Sequence, residues 1–388
     1  MYCSKQRPII FILAAVVSLS LLLPLAIPAT TVVSADDGGR QDYPSEDAWL
    51  GCVWGSSPSD VFVLGYDAWG IGSTILHYDG FTWSPMSSGD PSKQLGRIWG
   101  SSPSDVFAVG YEVGGWGEGT ILHYNGSIWS YMGGDIRNHL NDVWGSSSSD
   151  VFAVGGLTRG DNSESSSIIL HYDGDSWSPM SSGASKELGG VWSSSSSDVF
   201  VVGYDPRFWG SIILHYDGST WSPMSCDTPN WLSDIWGNSP SDVFAVGSNG
   251  TILHYDGISW SPMSSGTSSW LSCVWGSSSS DVFAAGGNGT ILHYDGSAWS
   301  PMSSGTSYDL HGIWGSSSSD VFTVGDGRTI LHYDGNWAPV VLPTNEKTDI
   351  WVVIGPIIAA IVIGLFLVYW FLRRRKPLVP PAPTTGPK

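Results

Sequence analysis

The stretch WGSSPSDVF, residues Trp54–Phe62, returns unchanged at Trp99–Phe107. Near-copies begin at Trp144, Trp192, Trp236, Trp275 and Trp314, so the seven tryptophans stand 45, 45, 48, 44, 39 and 39 residues apart. A period near 40 residues with strand-like content is the signature of a propeller. One unit, residues 271–304, reads LSCVWGSSSSDVFAAGGNGTILHYDGSAWSPMSS. β-Branched and aromatic residues fill four short runs, and Gly, Ser, Asn and Asp punctuate them. The pattern predicts strands over Leu271–Trp275, Asp281–Ala285, Thr290–Tyr294 and Ala298–Ser303. No helical period appears between residues 50 and 342.

Four antiparallel strands form one blade, and a lone blade exposes two apolar faces. Stacking blades around an axis covers both faces, and closing the ring leaves only short edges. The repeats begin near residues 50, 95, 140, 188, 232, 271 and 310. The expectation is an all-β, seven-bladed β-propeller of four-stranded antiparallel blades over 50–342. First and last strands are in phase, so the ring is expected to close between whole blades. A latch strand from 36–48 or 340–342 is the alternative.

Within the phrase, Trp54 is expected to end the first strand and Val61-Phe62 to begin the second. Asp60 and its equivalents would then accept backbone N–H bonds in the serine-rich turn between them. One carboxylate per blade is too few for Ca²⁺, which takes six to eight oxygens. His77, His123, His171, His215, His254, His293 and His332 all stand in L-H-Y-[DN]-G. Seven equivalent positions around a ring cannot converge on one site, so these histidines read as hydrogen-bonded packing residues.

The unit L-x-x-[VI]-W…D-V-F-A-V-G…G-T-I-L-H-Y-D-G-x-x-W resembles the repeat of Asp-box (bacterial neuraminidase repeat) propellers. It is most similar to that of the photosystem II assembly-factor family, which is seven-bladed. The resemblance covers roughly residues 50–340. Asp79-Gly80-Phe81-Thr82-Trp83 has three residues between Asp and the aromatic, where an Asp-box has four. Sialidases of that type hold a carboxylate sugar with three arginines, and the arginines here occupy unmatched places in the repeats. The resemblance therefore implies a fold and carries over no site residues.

The two ends read differently. Residues 1–35 carry Lys5 and Arg7, an apolar run, and Val33-Ser34-Ala35: a secretory signal peptide. Residues 36–49 and 343–349 read as linkers. Residues 350–372 are uncharged and, at about 1.5 Å per residue, long enough to cross a bilayer. The basic run Arg373–Lys376 opens a tail, 373–388, that belongs on the cytoplasmic side. The expected location is the cell membrane, single-pass, with the propeller extracellular. Residues 36–349 hold nine basic and 35 acidic residues, a net of −26, which argues against nucleic acid as a partner. Cys52, Cys226 and Cys273 are odd in number and read as small buried residues rather than a disulfide framework.

Function is sought where the repeats differ. Turns one–two and three–four share one face and scarcely vary. Turns two–three and the blade-to-blade loops share the other face and carry nearly all the variation. Long two–three loops in blades one to four display Trp69, Trp116 and Trp209, accompanied by Tyr66, Tyr111, Tyr204 and Phe208. Blade-to-blade loops add Trp49, Trp231, Trp270 and Tyr308 close to the channel. Aromatics on polar loops mark binding surfaces. The leading expectation is a non-enzymatic module that binds an extracellular glycan or protein, without metal or cofactor. The alternative is a cell-surface glycoside hydrolase or lyase using carboxylates among Asp67, Glu112, Glu118, Asp161, Glu164 and Asp205.

Overall fold

The computed structural model describes residues 48–343, apart from 67–71, 91, 114–117, 134–135, 158–165, 184–186, 206–209 and 227, together with 361, 363–367 and 369–370. The signal-peptide segment, Trp69, Trp116, Phe208, Trp209, Asp67, Asp161 and Glu164 lie outside the described residues. Residues 361, 363–367 and 369–370 are helical. Among the described residues no helix is long and apolar enough to cross a membrane.

Seven four-stranded antiparallel sheets are present, each built from one uninterrupted repeat in the order first–second–third–fourth strand. In the first blade these are β1 (Trp49–Ser57), β2 (Asp60–Tyr66), β3 (Ser73–Tyr78) and β4 (Trp83–Met86). The sixth repeat gives Leu271–Ser278, Asp281–Gly286, Thr290–Tyr294 and Trp299–Met302. The first strand thus runs three residues beyond its tryptophan. Trp54 still pairs with Phe62, and a register shift between Gly55 and Ser57 absorbs the approach to the turn. Asn288 adopts φ 55° and Gly289 φ 66° in the tight two–three turn, the left-handed conformations that Asn and Gly tolerate best.

Blade faces pack through a repeated set of rings. Phe62 is fully buried and meets Tyr124 and Trp129 of the next blade at 5.8 and 6.3 Å, both edge-on. Fully burying such a side chain stabilises by about 1.5–3 kcal/mol. The same arrangement, Phe322 to Trp83 at 6.4 Å, joins blade seven to blade one. The ring therefore closes between whole blades, and among the described residues no strand is exchanged. At the seam the Arg328 N–H donates to the Ala48 carbonyl at 2.9 Å. The Arg328 guanidinium donates to the Pro343 carbonyl at 2.8 Å. One residue thereby holds both the segment entering the ring and the segment leaving it.

The phrase contains a side-chain relay. Asp60 Oδ1 lies 2.7 Å from His77 Nε2, and Asp60 Oδ2 accepts the Ser56 hydroxyl at 2.6 Å. The Asp–His pair recurs in all seven blades at 2.7–2.8 Å. These aspartates tie strand two to strand three through a side chain, where turn-capping of backbone N–H groups was the expectation. Their hydrogen bonds from histidine and serine hold the Asp60 and Asp198 carboxyls low, against the opposing effect of burial. The backbone-capping role falls to another aspartate. Asp79, in the three–four turn, accepts the N–H groups of Phe81 and Thr82 at 2.9 and 2.8 Å.

Candidate binding site at the channel mouth

The first strands line the axis, and the residues flanking the leucine of L-x-x-[VI]-W decide what the channel presents. Just before that leucine stand Trp49, Gln94, His139, Glu187, Trp231, Trp270 and Asp309. Just after it stand Gly51, Gly96, Asn141, Gly189, Ser233, Ser272 and His311. Small residues in the second set leave the axis open under large ones in the first. A Cβ at Gly51 would fall 2.0 Å from the Trp49 ring.

The result is a cavity of about 300 Å³. Trp49, Tyr66, Tyr111, Trp231 and Trp270 supply its aromatic wall, and Gln94, Arg97, Asn141, Glu187, Ser233, Ser272 and His311 its polar groups. The rings are held in place. Trp49 stacks on its cross-strand partner Tyr66 at 4.4 Å and contacts His311 of blade seven at 5.0 Å. Tyr111 stacks on His139 of the next blade at 4.1 Å and 7°. Tyr204 stacks on Trp231 at 5.4 Å and 8°. The Trp270 indole N–H donates to Ser233 Oγ at 2.5 Å. Burial pushes the Tyr66 phenol up to about 12 and draws the His139 imidazole down.

Below the mouth the channel narrows to a chamber of about 70 Å³, lined by the next strand position: Cys52, Arg97, Asp142, Asp234, Cys273 and Gly312. Arg97 donates to the Gly51 and Gly96 carbonyls at 3.2 and 3.1 Å, and its Nε lies 3.9 Å from Asp142 Oδ1. Asp142 Oδ2 accepts the Val191 N–H at 2.8 Å, and Asp234 Oδ2 accepts the Val274 N–H at 2.9 Å. Each carboxyl thus bridges to the following blade. Burial, reinforced by Asp234, pushes the Asp142 carboxyl up to about 7 despite Arg97 and the N–H donors. Burial also raises Asp234, and it pushes the Cys52 thiol up to about 11. Cys52 and Cys273 are free thiols.

Of the aromatic residues expected at a site, the structure brings Trp49, Tyr66, Tyr111, Trp231 and Trp270 together, with Tyr204 backing Trp231. Tyr308 stands apart, half-exposed, in a shallow recess with Gly327, Arg328, Val340 and Leu342. The site residues not anticipated are Gln94, Arg97, Asn141, Glu187 and His311. They sit on positions that vary within the otherwise constant L-x-x-[VI]-W strand, and that contrast was the available signal. Among the candidate carboxylates, Glu112 is bound by Lys93 at 2.5 Å, and Glu118 is exposed.

Neither a family model nor a curated protein matches the chain. Solved structures do. YCF48 bound to D1 peptide is 15% identical with a TM-score of 0.56, covering 74% of this chain and 92% of that one. Virginiamycin B lyase from Staphylococcus aureus is 11% identical with a TM-score of 0.58, covering 74% and 94%. The WD40 propeller domain of Doa1 is 10% identical with a TM-score of 0.56, covering 75% and 94%. At these identities the likeness concerns the fold, which is that of a seven-bladed β-propeller shared by binding modules and by enzymes alike.

Proposed function

We propose that the chain is a non-enzymatic binding module at the outer face of a cell membrane, and that it captures a protein ligand at the channel mouth. The observation that carries this reading is the mouth itself. The strand-one positions that differ between otherwise near-identical blades gather there, around five aromatic rings fixed by stacking and hydrogen bonds. Rigid aromatic anchors of this kind dominate binding energy at interfaces. A propeller solved with a bound peptide, YCF48, supports a protein ligand by analogy of fold. In this reading the signal peptide over 1–35 directs export and the span over 350–372 supplies the anchor.

Trp231→Ala with Trp270→Ala should cut capture of a peptide or protein ligand by roughly 30-fold or more, since a buried aromatic anchor is worth about 2 kcal/mol, with the melting temperature little changed. Retained capture would move the site to the loops that hold Trp69, Trp116 and Trp209. Flat rings beside hydroxyls also suit sugars, so a glycan array run beside a peptide array separates the two ligand classes. Release of reducing ends from a bound glycan would mark the enzyme reading instead. Protease added to intact cells should release the propeller and spare the tail.

A further inference from the structure

We propose that the channel mouth receives a positively charged side chain, an arginine or lysine on a basic segment of the protein partner. The side chain enters along the propeller axis between Trp49, Trp231 and Trp270, toward Glu187 and the Gln94 amide. The inference rests on the binding-module reading and adds the chemistry of the ligand.

Three observations converge. The first is shape. A cavity of about 300 Å³ that narrows to about 70 Å³ admits one extended side chain and has Arg97 at its floor. The second is Gln94, which lines the cavity and is only 8% exposed. Among the described residues no hydrogen bond from its side-chain amide is seen, and the amide is open to the cavity rather than sealed from it. Its carbonyl oxygen is an acceptor held ready for an N–H donor from outside. The third is charge. Glu187 is the carboxylate that lines the mouth; beyond the lining, Asp309 accepts the Asn288 N–H at 2.7 Å and Asp326 pairs with His311 at 2.9 Å. The cation nearest the mouth, Arg97, is committed to two carbonyls and to Asp142. Burial draws His139 toward its neutral form. The net −26 between residues 36 and 349 adds a long-range field of the same sign, which concentrates cations at a low-dielectric opening. Tryptophan faces are the best aromatic partners for such a group, and arginine the commonest cation over them. Aromatic rings alone would serve a neutral sugar equally well, and it is the Glu187 carboxylate beside the Gln94 amide that selects a cationic donor.

The test uses the full chain in mild detergent and acetylated, amidated Gly/Ser heptapeptides with one central Arg, Lys, Gln or Glu, titrated by calorimetry. The Arg and Lys peptides should bind at least tenfold more tightly than the Gln peptide, and the Glu peptide should not bind. Raising salt from 50 to 500 mM should weaken the Arg peptide several-fold. Glu187→Gln and Trp231→Ala should each reduce its affinity about tenfold, with thermal melting confirming the fold. Phe81→Ser should change nothing, because that exposed ring sits in a three–four turn on the opposite face. An Arg peptide no tighter than the Gln peptide, or one indifferent to Glu187→Gln, overturns the proposal. If neutral peptides or oligosaccharides bind with dependence on Trp231, the binding module stands and the cationic ligand falls. If no probe binds at the mouth, both fall.

Discussion

The glycine after each phrase tryptophan is there for the neighbouring blade. A Cβ at Gly55 would fall 2.6 Å from the Trp314 ring, at Gly100 2.6 Å from Trp54, and at Gly237 2.7 Å from Trp192. Each indole therefore lies flat on the glycine of the following blade. Ser193 breaks the rule. It takes the glycine position opposite Trp144, which is only half-buried and turns its indole N–H to the Ser193 carbonyl at 3.1 Å. The Ser193 hydroxyl is buried without a partner. Ser193→Gly removes an orphaned hydroxyl, a cost of about 1–3 kcal/mol, against about 0.5–1 kcal/mol for a glycine in a strand. The variant should melt a few degrees higher by calorimetry, and a lower melting point would mean Trp144 is better placed where it is. A second exception lies in blade five. Six serines donate to the phrase aspartate, but Asn238 replaces the seventh and Asp242 Oδ2 is left without a partner. Asn238→Ser should raise stability by about 1 kcal/mol, read as a higher denaturant midpoint at constant slope.

At the scale of the blade, strand three was legible to the residue in the sixth repeat, because Asn-Gly and Asp-Gly fix its ends. The first strand was read three residues short, because Gly and Ser inside it look like a turn. They are strand residues, the glycine admitting a neighbouring ring and the first serine donating to the phrase aspartate. The partner of the phrase aspartate was also obscured by treating Asp and His as separate puzzles. Phe62 pairs with His77 across β2 and β3, and period two puts Asp60 on the same face as Phe62. Two constant residues on facing strands, present in every copy, were therefore one interaction. Asp105→Ala strands the His123 imidazole and the Ser101 hydroxyl and should lower stability by about 1–3 kcal/mol. Ligand capture per folded molecule should be unaffected, and loss of capture at an unchanged melting temperature would put function on that face. Of the site, the aromatics were visible as a surplus of rings between the core strands, though Trp49, Tyr66 and Tyr111, expected on loops, are strand residues because pairing runs on through them. Gln94, Asn141 and Glu187 were not, because attention to loops passes over strand positions whose side chains point down an axis.

For the whole ring, the axial carboxyls set a pH dependence of unusual sign. Asp142 has its folded value pushed up to about 7 from an ordinary 3.8. Between about pH 4 and 7 the folded state then holds a proton that the unfolded chain has released, so stability falls as pH rises through that window. Asp60 and Asp198 are shifted down. Their contribution is present above about pH 4 and is lost as pH falls through their folded values. The two trends cross in mildly acidic solution, and thermal melts at pH 4, 5.5, 7 and 8 should peak near pH 4–5.5. Asp142→Asn keeps an acceptor for the Val191 N–H and removes the proton, so the decline toward pH 7 should flatten. Stability that instead climbs from pH 4 to 7 would mean that Arg97 holds Asp142 ionised.

Closure between whole blades has a consequence for heredity. Every blade is one unbroken run of chain, and the seam between the seventh and the first repeats the packing found elsewhere in the ring. Unequal exchange between two of the near-identical repeats would delete or duplicate a complete blade in frame, leaving no strand widowed and no half-sheet to refold. The last three units, spaced 39 and 39 residues apart and each with a minimal two–three turn, are the readiest substrates for such an exchange. Blade number in this lineage is thus open to change in whole steps, so alleles of six or eight blades could arise in a single recombination event.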